Sequence, residues 1–425
     1  MERITLAAIL ILGAAFGIGH AFLTPYRTPG IQEGRYQADI GAPDERAHAN
    51  YVIHLIEGQG IPVLDPKRPD AWEHYESHQP PLYYLLAAAW SKALATGNLV
   101  SRQGGVALRM LSVIFGALAA LGVYFASREA FGSRAVALAA AASVALLPMV
   151  CAVNAWVGND AMLTALCAWT LALAFRAREC GWTRNHAALL GLCIGAAVLT
   201  KTSALALVPP LVLVFAVGGR HRPSVWQVVV IAMAAAALIA PWWARNVALY
   251  GDPFALSAFR EQFGGNPYFE GARDDSARLR RWASEFTEVT GMSFVGMFGY
   301  MHILLPKAAY VAAWCVYGLL LAGWPASWFS ARLRDRRPEQ LIALAAILTA
   351  IALYVRFNLE QHQPQARYLF PALAPIGMAF GIGLSGWFSK RTLVATWALI
   401  LFLAALNVLA LSLLPGEFAS RTRMG

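Results

Sequence analysis

Residues 106–127 read VALRMLSVIFGALAALGVYFAS, and the next connection, Arg128 to Arg134, carries two arginines before another apolar run begins. A run of this length is about what an α-helix needs to cross the hydrocarbon core of a bilayer. Working outward, similar runs occur at 4–23, 135–153, 161–175, 187–200, 203–218, 225–244, 308–329, 340–355, 369–388 and 392–413. The 425-residue chain is 58% hydrophobic and 14% charged, with a mean hydropathy of +0.51. Soluble domains carry about 25% charged residues. The deficit extends along the whole chain, so a single integral membrane domain covering residues 1–425 is expected.

The first run, Ile4 to Leu23, follows Arg3 as a signal peptide would, but it has the length of a full span and no convincing small-residue cleavage site. It is read as a retained helix. The net charge of +10 does not indicate a nucleic-acid partner, because the basic residues lie in short clusters between apolar runs, with no interleaved aromatic groove. Cys151, Cys167, Cys180, Cys193 and Cys315 show neither metal-ligand nor disulfide spacing and are expected to pack.

The clusters set the topology. Arg128 with Arg134, then Arg176, Arg178 and Arg184, then Arg220 with Arg222, fall at every second connection, as do Arg332, Arg334, Arg336, Arg337, Lys390 and Arg391. That alternation marks cytoplasmic loops. It leaves the apolar segment Leu82–Leu94 as an interfacial helix in the outer leaflet, giving about eleven transmembrane helices. Making 82–94 a further span would require an outside N-terminus, against the charge rule. The polar sequence then collects outside, in a first loop at 24–106, a second at 246–306, and short turns carrying Asn159-Asp160, Lys201-Thr202 and Gln361–Arg367. The cytoplasmic connections are too short for a domain.

In the first outer loop, Pro43-Asp44-Glu45-Arg46-Ala47-His48-Ala49-Asn50-Tyr51 opens a helix ending near Gly58, with Asp44, His48 and Tyr51 on one face. Acidic residues at a helix start serve as caps and complement the dipole. Yet a carboxylate at the membrane surface is costly without a partner or a task. Further on, Glu76-Ser77-His78-Gln79-Pro80-Pro81-Leu82-Tyr83-Tyr84 breaks at its prolines and starts the interfacial helix. Its tyrosines suit the headgroup level, while His78 and Gln79 are polar groups at the rim. In the second loop, Leu279, Trp282, Ala283 and Phe286 space an amphipathic helix among Arg278, Arg280 and Arg281. Phe294–Leu305 is too short to span and is expected to be re-entrant or to lie over the site, as packing or as a lid.

These stretches, in this order, resemble the GT-C superfamily of membrane glycosyltransferases, near its protein mannosyltransferase and aminoarabinose transferase group. Asp44-Glu45 after the first helix and His78-Gln79-Pro80-Pro81-Leu82-Tyr83-Tyr84 carry the resemblance first. Arg109 leading to Ser127-Arg128-Glu129-Ala130-Phe131-Gly132 adds to it, as do Pro148 with Asn159-Asp160 and Trp243-Ala244-Arg245-Asn246 before Tyr250-Gly251-Asp252-Pro253. Ser293–Gly299 and Gln365-Ala366-Arg367-Tyr368 are similar to a bacterial branch. The resemblance implies a GT-C-like all-α fold and an inverting hexosyl- or pentosyltransferase in a bacterial inner membrane, its site facing the periplasm or cell exterior. The donor would be a polyprenyl-phosphate sugar and the acceptor a lipid, glycan or protein hydroxyl. Asp44 is then the candidate base and Glu45 its neighbour. No large C-terminal soluble domain of the kind many members carry follows, so acceptor recognition is expected from the loops.

Such chemistry needs a base, cations for the departing phosphate and a groove for the lipid. Asp44 suits the first role; Glu45 projects about 100° away from it around the helix. Lys201, Arg245 and Arg367 lie at outer helix ends, where snorkelling to headgroups is the plainer explanation of each and a shared anion site the explanation of all three. Arg109 is a fourth candidate. His48, Tyr51, His78, Gln79, Tyr83, Asn159 and Asp160 are candidate acceptor or sugar contacts, though a helix cap accounts equally for the Asn159-Asp160 pair. No tight metal-ligand motif occurs, so no obligatory metal or other cofactor is expected. A transporter or flippase of lipid-linked sugars is the alternative, disfavoured by the absence of an internal repeat and of mid-membrane charges. A structural assembly subunit is a third.

Overall fold

In the computed structural model every one of the eleven apolar runs is helical. The structure describes all residues except 33, 218–220, 265–275, 330–332 and 423–425, so Arg220 and Arg332 of the basic clusters lie outside the described residues. Helix α1 is Glu2–Leu23, and the first loop then holds a short hairpin, β1 (Gly30–Gln32) with β2 (Arg35–Gln37), and helices α2 (Glu45–Ile56) and α3 (Leu82–Ala93). Next come α4 (Arg102–Phe131), α5 (Arg134–Ala145), α6 (Pro148–Val153), α7 (Asp160–Cys180), α8 (Arg184–Thr200), α9 (Val208–Ala216) and α10 (Val225–Tyr250). The second loop contributes α11 (Leu256–Phe263), α12 (Ser276–Val295) and a hairpin of β3 (Met297–Phe298) with β4 (Ile303–Leu304). Helices α13 (Lys307–Phe329), α14 (Arg337–Glu360), α15 (Leu373–Phe388) and α16 (Thr392–Arg421) complete the bundle.

Among the described residues, seven stretches are long and apolar enough to cross a membrane: 2–23, 102–131, 160–180, 225–250, 307–328, 337–360 and 366–421, the last containing both α15 and α16. Shorter apolar helices at 134–145, 184–200 and 202–216 lie among them. The chain is a multi-pass helical membrane protein. Local signals set the boundaries. Ser101 accepts a hydrogen bond from the Gly104 amide at 3.1 Å to start α4, and Gly132 ends it in the left-handed region at φ 63°. The expected 135–153 run is broken before Pro148, which opens α6. Small residues bring helices into backbone contact: a Cβ on Gly383 would lie 1.7 Å from the Leu320 carbonyl oxygen, so α13 and α15 touch there. Cys151 and Cys167 pack in the core, whereas Cys180 and Cys315 are exposed.

The basic connections gather at one end of the bundle. Arg178 pairs with Glu339 at 3.0 Å, Arg336 with Glu179, Arg134 with Glu2 at 2.9 Å and Arg176 with Glu129 at 3.4 Å. Asp160 begins the same helix that Arg178 ends, so it lies about 30 Å away at the opposite end. Helix α12 forms as expected, with Trp282 buried and stacked on Phe286. Phe294–Leu305 is no re-entrant helix. After the last turn of α12 it becomes the β3–β4 hairpin, whose Phe298 and Ile303 are buried while Tyr300 projects at the tip.

One buried ion pair binds together the end of the bundle away from the basic connections. Glu45, the first residue of α2, meets Arg109 of α4 through Nε–Oε1 at 2.8 Å and Nη2–Oε2 at 2.5 Å. The guanidinium also donates to the carbonyls of Ala21 and Thr24 at 2.7 Å and of Pro25 at 3.0 Å. All five of its N–H groups are thereby used. Glu45 accepts in addition the Val157 amide at 2.9 Å. The expectation that Arg109 binds a donor phosphate and Glu45 shares in catalysis is therefore corrected: both side chains are buried and occupied, and they fasten α1, α2, α4 and the start of α7. Arg109→Ala is predicted to destabilise the protein by about 3–5 kcal/mol, the usual consequence of stranding a buried charge. Denaturation of the detergent-purified protein measures this, and Arg109→Lys, lacking the fork, should not restore it.

Candidate active site

Clamped Glu45 turns its neighbour the other way. Asp44 takes a left-handed backbone (φ 64°) at the head of α2 and makes no side-chain cap, so capping does not explain it. Its carboxylate instead enters a cavity of about 610 Å³. There Oδ2 pairs with Arg367 Nη2, and Oδ1 accepts the Tyr75 hydroxyl at 2.7 Å. Arg367, placed by the short 3-10 helix Ala366–Ala372 before α15, reaches Asp160 at 3.6 Å through its other terminal nitrogen. Asp160 in turn holds Lys201 Nζ at 2.6 Å. The two cations flank the Tyr368 ring, at 5.4 Å for Arg367 and 5.7 Å for Lys201. Residues 323 positions apart in sequence thus form one alternating chain, Asp44–Arg367–Asp160–Lys201.

A second polar group lies beside it. His48 Nδ1 is 2.7 Å from the Tyr84 hydroxyl and 3.9 Å from Glu76 Oε2, which has no hydrogen-bond partner among the described residues. The His78 Nδ1–H donates to the Tyr75 carbonyl at 2.7 Å, leaving Nε2 toward Gln79 at 3.3 Å. Apolar side chains complete the lining, among them Phe254, Phe259, Phe263, Leu353 and Phe357.

Burial alone would push the Asp44 carboxyl up, but Arg367, with His48 and the Tyr75 hydroxyl, brings it down to about 2. Asp44 is an anion throughout the neutral range. Glu76 goes the other way: burial raises it above the ordinary carboxylate range, against the pull of His48. Burial also lowers His48, and takes His78 down to about 4, so both imidazoles are neutral at pH 7.

The structure sorts the remaining expected residues. Asp44, His48, His78, Gln79, Lys201 and Arg367 line the cavity, and Asp160 underlies its cations. Arg245 does not join them. It stacks on Trp242 and donates to the carbonyls of Ile61 at 3.2 Å and Pro62 at 2.8 Å, bracing the first loop. Three expected sugar contacts are also corrected. Tyr51 is buried in a stack on Tyr84 with centroids 3.8 Å apart, and Tyr83 is fully enclosed, accepting the Gly158 amide at 3.0 Å. Asn159 is buried behind Gln79, to which it donates at 3.3 Å. Sequence reasoning missed Tyr75, Glu76 and Tyr300, and gave Tyr368 no role. Glu76 had a signal, an acid two residues before His78; the others become visible only once the loops are folded. Among the described residues no group of three His, Cys, Asp or Glu is arranged to hold a metal ion.

Residues 78–244 match the family described as dolichyl-phosphate-mannose-protein mannosyltransferase. No curated protein sequence matches significantly. The structure resembles that of ArnT from Cupriavidus metallidurans bound to undecaprenyl phosphate, with TM-score 0.60 and 13% identity, covering 98% of this chain and 77% of that one. It also resembles the Archaeoglobus fulgidus oligosaccharyltransferase tethered with an acceptor peptide, with TM-score 0.59 and 17% identity over 96% of this chain and 55% of that one. A third similar structure is the mycobacterial arabinofuranosyltransferase AftD, with TM-score 0.57 and 16% identity over 95% of this chain and 26% of that one. This chain spans about half the length of the archaeal structures.

The raised Glu76 carboxyl has a consequence for stability. Folding favours its protonated form, so that contribution is intact below the ordinary carboxylate pKa and is lost as pH rises through the raised value. Glu76→Gln should therefore melt a few degrees above the parent at about pH 8 and close to it at about pH 4, as measured by thermal unfolding in detergent.

Proposed function

We propose that this chain, whose fold is that of the GT-C membrane glycosyltransferases, moves a sugar from a polyprenyl-phosphate donor to an acceptor hydroxyl with inversion, on the outer face of a bacterial inner membrane. The observation behind the proposal is the cluster itself: a carboxylate and two cations in a cavity that is also lined by apolar aromatic side chains. The match to a family named for a dolichyl-phosphate sugar donor, and the likeness to a structure holding undecaprenyl phosphate, support it. The apolar aromatics suit the lipid, Arg367 and Lys201 suit the phosphate, and the polar edge at His78 and Gln79 suits the sugar.

The donor's phosphate competes with Asp44 and Asp160 for the two cations. As Arg367 turns to it, Asp44 loses the partner that suppresses its basicity, while Tyr75 still orients it. The acceptor oxygen then bonds to the anomeric carbon as the bond from that carbon to the phosphate oxygen breaks. The hydroxyl proton goes to Asp44, and the bond's electron pair leaves on polyprenyl phosphate, where Arg367 and Lys201 meet the negative charge. Asp44 returns its proton to water. Sugar identity, hexose or pentose, is left to assay.

Purified protein with a radiolabelled polyprenyl-phosphate sugar and candidate acceptors tests the proposal. Asp44→Asn should lower transfer about 10²–10⁴-fold, the contribution of a positioned base. It should still bind undecaprenyl phosphate, since Arg367 is then less encumbered. Lys201→Ala should weaken that binding about tenfold or more, the loss of a charge-assisted contact. Transfer retained by folded Asp44→Asn would remove the base, and lipid flipping without transfer would make the protein a transporter.

A further inference from the structure

Asp44 faces two cavities. Besides the large one, a smaller chamber of about 260 Å³ opens on its other side, lined by Tyr36, Gln37, Asp39 and Arg46. The wall between them is Asp44 with Trp72, Tyr75 and Tyr300, which border both. The two spaces are chemically unlike. Lys201, Arg367 and the apolar aromatics Phe254, Phe259 and Phe357 border the large cavity, and none of them borders the small one. Besides the shared Asp44, the small chamber is lined by two acids, each held by a guanidinium: Asp39 binds Arg46 through both oxygens, at 3.0 Å for the Nη2–Oδ1 contact, and Glu45 is taken up by Arg109. Its net charge is near zero apart from the shared Asp44. Trp72 is 52% exposed, Tyr36 61% and Tyr300 38%, so aromatic faces border a polar space without filling it.

We propose that this chamber is the acceptor site and that the acceptor is a neutral saccharide, not a peptide or a lipid. This rests on the transferase function proposed above. A leaving phosphate held by Arg367 and Lys201 fixes the donor on the large side. Displacement with inversion requires the incoming oxygen on the face of the anomeric carbon away from that phosphate. Asp44 is the one carboxylate that borders both spaces, so a hydroxyl entering from the small side reaches it as the base. Sugar rings offer an apolar face of C–H groups and a rim of hydroxyls. Aromatic planes with a polar tip suit the face, and a carboxylate suits the rim. Asp39 suits hydroxyl donors especially, because two lone-pair sites remain after Arg46 takes its share. A lipid acceptor would need an apolar channel on this side, and a cationic peptide would meet Arg46. In the step itself a saccharide O–H gives its proton to Asp44, its oxygen bonds the donor's anomeric carbon, and polyprenyl phosphate leaves into the large cavity.

Binding without donor tests this on the full chain in detergent, with saturation-transfer NMR on methyl α-D-mannopyranoside, methyl α-D-glucopyranoside, a mannobiose and a Ser/Thr-containing peptide as probes. A saccharide should bind, and Asp39→Asn, Tyr36→Ala and Trp72→Ala should each weaken it about tenfold, the effect of one good contact. Melting curves and native mass spectrometry of undecaprenyl phosphate binding check that Asp39→Asn and Tyr36→Ala remain folded. Saccharide binding that survives all three substitutions overturns the assignment, as does no saccharide binding by the folded parent, or binding of the peptide alone. If saccharides bind as expected while undecaprenyl phosphate does not, the acceptor chamber stands and the donor proposal falls.

Discussion

The half of the molecule away from the basic connections depends on Glu45 and Arg109. A guanidinium with every N–H engaged and no exposure cannot be an incidental contact, since its desolvation is offset only by complete pairing. The pair joins the end of α1, the head of α2, the start of α4 and the turn before α7. It also sets direction. Because Glu45 is drawn inward by Arg109 and the Val157 amide, the chain must reverse at residue 44, and the left-handed conformation there aims Asp44 into the cavity. The strain of a non-glycine residue at positive φ is held by the clamp beside it.

Much of this was legible in the sequence because it was written in features that survive folding. Apolar length gave the helices, alternation of arginines gave the end at which the cations would gather with their acids, and proline placed the start of α3. The meeting of Asp44, Lys201 and Arg367 was also legible, since all three sit at helix ends on the same side of the same bundle. What failed were the arginines. Arg109, Arg245 and Arg367 are the same residue type at the same kind of place, and what separates them is which carbonyls or carboxylates lie within reach. Arg109 finds three carbonyls and Glu45; Arg245 finds Ile61 and Pro62; Arg367 finds Asp44 on the cavity wall and Asp160 behind it. Tyr51 and Tyr83 were misplaced for a related reason, because an aromatic at a helical spacing does not reveal which face a later helix will cover. Tyr300 required knowing that an apolar stretch would turn back on itself as a hairpin.

The charge balance of the site has a physical meaning beyond pairing. Two carboxylates and two cations alternate, so the resting cluster is close to neutral and can be partly dehydrated without a large penalty. An anionic lipid phosphate entering this space meets cations already desolvated and oriented, and it displaces carboxylates in place of water. The neighbouring groups are shifted away from charge: burial lowers His48 and His78 and raises Glu76.

That exchange resolves an apparent contradiction in the proposed chemistry. A carboxyl brought down to about 2 is a poor base, and its negative charge is already stabilised by the guanidinium. Both facts describe the cluster with Asp44 and Arg367 bound to each other. Arg367 is what chiefly depresses Asp44, and the opposing effect of burial remains when Arg367 is drawn away. The same event that seats the phosphate therefore raises the affinity of Asp44 for a proton. Tyr75 holds the carboxylate in place meanwhile, at the wall shared with the smaller chamber. Without a lipid phosphate the carboxylate is quenched, so water in either cavity has no strong base to activate it, and the coupling of donor binding to basicity follows from the single contact between residues 44 and 367.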